Sequence, residues 1–372
     1  MNRIAKCIVA LFSCVGLLAF TSHPKTLSRT PGGLKWKFQL RATAYPIAGA
    51  GVIYAASSSG CTDYTPCGPP DGIYALDSKT GRQRWKFETP GYVTAAPAIA
   101  NGVLYQGSGG HLYAVDALTG GEKWKFKADN PVDYSPVISN GVIYFWSVHR
   151  LIPGGVFGGE IQAVDLDTKQ QKWKVRIELG MVSVPVVAGG IVYLGTTGDP
   201  VSSSRGYLHA LNAQTGKEKW SFEAGGPAPA VSKGVVYYGS RDGLLCALDA
   251  QMGAEKWKFK AEGGFISPPV VGDGLVYFAL YGKHVYAVNI NTGIQKWEFK
   301  NAVAMDSSPA VADGVVYFGS TDDYLYALDA KTGQEKWKSK MGGHAVSSPV
   351  IAGGVVYVGS SDGYLYAIEG ST

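Results

Sequence analysis

Two carboxylates and one indole are the residues of this chain best suited by type and spacing to do chemistry. Asp133 and Asp306 each stand three residues before a proline, Pro136 and Pro309, that marks the same point of an internal repeat, and the two copies lie four apart in a series of eight. If the series closes into a ring, the two side chains face each other across its axis, which suits a cation or a polar ligand. The competing reading is an aspartate bonded to local backbone where a strand begins. Arg41, Tyr92 and His344, two residues further back in their own repeats, would rim the same opening, although each alone also fits a solvated loop. Trp146 takes a place that the other repeats give to Ala56, Gly107, Gly195, Gly239, Ala279, Gly319 and Gly359. A large indole there either stacks on a planar ligand or partner, or packs under its own long loop with His149 and Arg150 passing above.

Other chemistries find less support. The six His are scattered singly, no glycine-rich loop leads from a strand into a helix, and no Gly-x-Ser-x-Gly elbow is present. Cys61 and Cys67 bracket a short stretch and are expected to close a small loop as a disulfide, which fits an oxidising compartment. A zinc site needs about four ligands and this pair offers two, so no metal is expected. Cys246 stands where sister repeats carry Tyr286, Tyr326 and Tyr366, and an inert core thiol is expected there. The net charge of +5 falls to +3 without Arg3 and Lys6, too weak a field to argue for nucleic acid.

Residues 1–22 read as a secretion signal. Arg3 and Lys6 precede an uncharged, mostly apolar run from Cys7 to Phe20, and Ala19-Phe20-Thr21 offers a cleavage site. That run is short for a bilayer span, so no membrane span is expected in the mature chain. Cys14 follows Leu11-Phe12-Ser13, a poor box for lipidation because Phe12 is bulky. Residues 23–33 read as a linker, and 34–372 as one repeat domain.

The elements that must position these residues are short strands. With 50 Gly, 22 Tyr and only 17% charged residues, the composition suits many tight turns and an all-β chain. Prolines 46, 97, 136, 185, 229, 269, 309 and 349 each lie five residues before a glycine, and tryptophans 36, 85, 124, 173, 220, 257, 297 and 337 recur in the same frame. Each unit contains an inner strand through the Pro, a Gly-Val-Val-Tyr strand, a Tyr-Leu-Tyr-Ala-Leu-Asp strand and a Lys-Trp-Lys-Phe strand. The Asp-x-x-Thr-Gly link before the last strand suits a type I turn closed by a left-handed Gly; Thr168-Lys169 departs from this pattern and should give a looser turn. The first Trp strand precedes any inner strand and the last unit lacks its fourth, so the segment around Trp36 is expected to complete the eighth blade and close a ring.

The pattern Ala327-Leu328-Asp329-Ala330-Lys331-Thr332-Gly333-Gln334-Glu335-Lys336-Trp337 resembles the tryptophan-docking repeat of quinoprotein dehydrogenases and their propeller relatives. The resemblance covers residues 34 to 369. It implies an eight-bladed β-propeller in which Trp36, Trp85, Trp124, Trp173, Trp220, Trp257, Trp297 and Trp337 staple the junctions between blades. Burial of about 200 Å² per indole bounds each contribution at roughly 5 kcal/mol.

The same resemblance implies two functions. A dehydrogenase would hold pyrroloquinoline quinone with calcium, using a Trp, a vicinal Cys pair and a catalytic Asp; this chain has no adjacent cysteines, and Asp133 or Asp306 with Trp146 is the best set available. The alternative is a binding scaffold similar to the propeller lipoprotein of the outer-membrane barrel-assembly machine, which carries no cofactor. Insertions after Tyr54, Tyr144 and Tyr193 lengthen the second-to-third-strand links of repeats one, three and four, all on one face of the disc. An exported, monomeric, non-catalytic scaffold that binds a protein or small-molecule partner through that face is therefore expected.

Overall fold

Every blade starts from a hairpin whose two-residue turn needs left-handed backbone. Asp313 and Gly314, with φ of 50° and 72°, form such a turn between Ala310–Ala312 and Val315–Gly319, and its backbone twist matches that of the strands it joins. The recurring glycine five residues after each frame Pro is thus the second residue of a primed turn. The structure, a computed structural model, describes residues 30–40, 43–58, 72–91, 93, 95–132, 134–149, 158–177, 183–196, 198, 206–264, 267–280, 284–300 and 307–370, without the side chains at 43, 44, 58 and 149. The signal segment, the Cys61–Cys67 pair, Arg41, Tyr92, Asp133, Arg150 and Asp306 lie outside the described residues.

Among the described residues, thirty-two strands form eight antiparallel sheets of four, each running in sequence order from inner to outer strand except the last. In that sheet Leu34–Gln39 pairs with Tyr364–Glu369, with Trp36 opposite Ala367 and Phe38 opposite Leu365. The inner strand of the first blade, Thr43–Gly49, lies against that of the eighth, Val350–Ala352, so the ring is closed. The chain is an eight-bladed β-propeller with no helix among the described residues.

Each docking indole reaches over a junction to the turn before the outer strand of the next blade. Trp297 Nε1 donates to Ala330 O at 2.9 Å, Trp173 to Ala213 O at 3.0 Å and Trp36 to Ser78 O at 3.0 Å. A tyrosine of the second strand joins it: Tyr277 and Tyr144 donate to the same Ala330 and Ala213 carbonyls. The turn glycine has two reasons to be glycine. Gly333 has φ of 72°, and a Cβ on it would fall 2.6 Å from Cδ2 of Trp297, so the indole lies flat on the place a side chain would need.

The eighth blade rebuilds this turn from two separate stretches. In the first blade Gly81 N–H donates to Asp77 O and Asp77 N–H to Arg82 O, both at 2.8 Å. In the eighth, Gly32 N–H donates to Glu369 O and Glu369 N–H to Gly33 O, also at 2.8 Å, and Gly32 carries the Trp337 ring. Lys35 pairs with Glu369 at 2.9 Å as Arg84 pairs with Asp77 at 2.7 Å. Residues 30–33, read from the sequence as linker, are therefore part of the ring.

The third repeat corrects an expectation. Lys169 has φ of 61°, its N–H donates to Asp165 O at 2.8 Å, and Asp165 Oδ1 accepts from the N–H groups of Asp167 and Thr168, so the turn is as tight as its sisters. The departure is absorbed by the docking ring instead. Trp124 makes 59° with Tyr105, against 40–50° for the seven equivalent pairs, because a side chain now occupies the space on which the other indoles rest.

The turn aspartates make stability acid-sensitive. Arg84 and Lys123 bond Asp77 and Asp116, pulling Asp77 well below the usual carboxylate range and Asp116 down to about 2. Backbone N–H groups of Thr168, Gln251 and Thr332 lower Asp165, Asp249 and Asp329. Folded values below the unfolded value of about 4 mean that the stabilisation is complete above pH ~4 and is lost as pH falls through the folded values. Thermal unfolding followed by circular dichroism should show a midpoint that is level from pH ~7 to ~5 and drops between ~4 and ~2; a midpoint unchanged to pH ~2 would contradict this.

Candidate functional site

The register of the strands decides which links share a face. Ser57 pairs with Gly72, His149 with Gly158 and Gly195 with Leu208, and at the same ends the outer strands finish, Glu88 opposite Gly72, Ile177 opposite Gly159 and Glu223 opposite Tyr207. The long links of blades one, three and four therefore leave from one face, together with the links that lead to each following blade. Stretches 59–71, 150–157 and 199–205 themselves lie outside the described residues.

Beneath that face runs a belt of buried hydroxyls that the sequence reading did not single out. Ser57, Ser108, Ser147, Thr196, Ser240, Ser320 and Ser360 lie near or just past the ends of the second strands of seven blades, and Leu280 takes the place in the sixth. Thr196 Oγ1 accepts the N–H of Tyr207 at 2.8 Å and Ser240 Oγ that of Leu244 at 3.0 Å, so the hydroxyl satisfies an amide where the ladder stops. The repeated Gly-Ser pairs at 107–108, 239–240, 319–320 and 359–360 were the available signal. A second set, Ser183, Ser267 and Ser347, accepts the N–H groups of Gly195, Ala279 and Gly359 and fixes the incoming links against the second strands.

The structure does not bring the predicted site residues together. Trp146 is 2% exposed and packs with Tyr144, Ile161, Trp173 and Leu194 in the core between blades three and four. A Cβ on Gly159 would fall 2.3 Å from Ser147 O and 2.5 Å from the indole Cζ2, so cross-strand backbone and the indole together keep Gly159 small. Trp146 is thus architecture, and the stacking platform is corrected. His344 is exposed on the loop-bearing face, 3.7 Å from Asp323, and its carbonyl accepts the N–H of Ser361. The side chain of His149 lies outside the described residues, as do both carboxylates of the proposed axial pair.

Charge at the base of the third blade's loop is paired. Lys174 Nζ lies 2.8 Å from Asp129, in the link from blade two, and 3.6 Å from the buried Glu160. Among the described residues no group of three or more His, Cys, Asp or Glu side chains is arranged to hold a metal ion. Trp146, buried in the core, offers no exposed face on which a planar ring could stack.

The model of the family described as outer membrane protein assembly factor BamB matches residues 25–145, 147–227, 204–305 and 301–372. The chain belongs to the BamB family. A comparison with curated protein sequences finds no match. Among solved structures, this BamB-family chain is similar to BamB from Moraxella catarrhalis, with a TM-score of 0.70 and 19% identity over 90% of this chain and 99% of that one. It is also similar to the quinohemoprotein alcohol dehydrogenase from Comamonas testosteroni, with a TM-score of 0.71 and 17% identity over 91% and 77%. A europium-containing methanol dehydrogenase gives 0.69 and 16% over 87% and 84%. At these identities the likeness is one of fold.

Proposed function

We propose that this BamB-family propeller is a non-catalytic scaffold of the cell envelope, exported by its leading segment, that binds a partner through the loop-bearing face. The observation that carries this reading is the departure of all three lengthened second-to-third-strand links from one face of the ring. Loops on a rigid disc present side chains at low cost in conformational entropy, which suits recognition. BamB-family and related propellers are in general periplasmic or envelope-associated, in keeping with a basic, apolar leader and a role in envelope assembly.

The dehydrogenase reading rests on the fold likeness to the two alcohol-oxidising structures. It needs a flat aromatic platform, and the indole best suited by sequence is in the core. The two readings separate in one titration: purified protein with pyrroloquinoline quinone and calcium, followed by thermal shift and by dye-linked alcohol oxidation. The scaffold reading expects neither to respond. A saturable shift accompanied by turnover would replace it with the enzyme.

A further inference from the structure

The fifth blade lacks one ring of a set that its sister blades keep, and a cleft of about 430 Å³ stands beside the gap. In blades one, two, six, seven and eight the third residue of the third strand is Tyr74, Tyr113, Tyr286, Tyr326 and Tyr366; in blade five it is Cys246. The surroundings of these tyrosines show what holds a phenol at this place. Tyr326 packs against Phe299 of the preceding blade at 6.0 Å and stacks on Phe318 of its own second strand at 5.2 Å. Tyr286 does the same between Phe259 and Phe278. Lys338 lies 5.5 Å from the Tyr326 ring. The hydroxyls of Tyr326 and Tyr366 donate to Asp322 and Asp362, and Tyr366 also accepts the N–H of Gly342.

Blade five keeps a counterpart of each of these partners. Phe222 takes the place of Phe299, and Tyr238, the cross-strand neighbour of Cys246, that of Phe318. Lys258 faces Cys246 as Lys338 faces Tyr326. Asp242 follows Ser240, whose hydroxyl donates to it, as Asp322 follows Ser320, and Gly225 lies five residues beyond the docking Trp220 as Gly342 lies five beyond Trp337. Phe222, Gly225, Asp242, Cys246 and Lys258 all line the cleft. Burial pushes the Cys246 thiol up to about 12, so it stays neutral at the floor and does not compete for the ammonium. In blades three and four the same position is filled by polar groups, Gln162 bonded to Ser147 and His209 bonded to Glu218.

We propose that this cleft is a binding site for a 4-hydroxyphenyl group, with the ring against Phe222 under the Lys258 ammonium and the hydroxyl between Asp242 and the Gly225 amide. Aromatic contact and the cation over the ring face supply attraction, and the carboxylate supplies selectivity for a phenol over a plain ring. The group reaches the site on a free small phenol or as a tyrosine side chain of a polypeptide.

The test is a titration of the full chain with p-cresol, read by amide shifts in nitrogen–proton correlation spectra. The expected result is saturable movement of the Gly225 and Asp242 signals at millimolar ligand, at least tenfold weaker with toluene. The variant Cys246→Tyr should unfold at higher temperature and lose the response, because its own ring occupies the site. Cys246→Phe provides a second filled variant. Tighter binding of N-acetyltyrosinamide than of p-cresol assigns the site to polypeptide tyrosine, and the reverse order to a free phenol. No saturable movement in the native chain, equal response to toluene, or an undiminished response in both filled variants would overturn the proposal. None of these outcomes depends on whether a partner docks on the loop-bearing face.

Discussion

A chain that starts at residue 40 should lose at least about 5 kcal/mol of stability and aggregate as its concentration rises. Leu34–Gln39 supplies the outer strand of the eighth blade, and its removal leaves Tyr364–Glu369 as an open edge of unpaired amides and carbonyls. It also removes Trp36, which holds the first blade through Ser78 and lies against Tyr357 with ring centroids 5.7 Å apart. Losing one large aromatic from such packing costs about 3–5 kcal/mol, and here Phe38, against Tyr74, goes with it. In a ring the loss falls on both flanking blades at once. Urea unfolding with light scattering measures both effects; a truncated chain as stable and as soluble as the full one would show that the ring does not depend on this strand.

The second large effect lies at the turn glycine, and it has opposite signs at two positions. Gly333→Ala places a Cβ in left-handed backbone and against the Trp297 indole, so the ring must lift and its bond to Ala330 O is lost. The backbone cost of about 1–2 kcal/mol adds to the loss of a buried hydrogen bond, for a total of about 3 kcal/mol. Lys169→Gly removes the same obstruction where it now exists and should stabilise by about 1 kcal/mol, with Trp124 settling to the tilt of its sisters. Chemical denaturation of both variants checks the pair. If Gly333→Ala stays within about 0.5 kcal/mol of the native chain, the indole does not require the glycine.

The sequence made the architecture legible because the docking contact is local in the repeat and global in the ring. A Trp four residues after a turn Gly is one motif on the page, but in the fold the Trp of one blade meets the Gly of the next, so seven such copies, with Lys169 in the third repeat, define eight junctions. The closing strand was legible because the first Trp strand precedes any inner strand and the last unit lacks its fourth, although Gly32, spaced from Trp36 as Gly333 is from Trp337, reads as linker. Position within the repeat was a poorer guide to function. Trp146 looked available because the other repeats carry small residues at its place, yet those glycines are small for steric reasons: a Cβ on Gly107 would meet Val132 O at 2.4 Å and one on Gly319 the Ala345 Cβ at 2.0 Å. A place kept small by close approach of backbone is an interior place, and the indole that fills it is buried. Cys246 shows the converse. Its meaning as a missing ring emerged only when the partners of the sister tyrosines were seen, since the aromatic, the cation and the carboxylate come from three separate stretches of chain.

The partner face is the central functional claim, and site-specific photo-crosslinking tests it most directly. A photoreactive side chain is placed at Val156, in the long link of blade three, and in a second protein at Lys331, in an exposed turn on the other face. With each expressed in the envelope of its own cell and irradiated, a discrete adduct from position 156 and none from 331 is the predicted result. Adducts of equal yield from both positions, or from 331 alone, would contradict the docking face proposed for this ring.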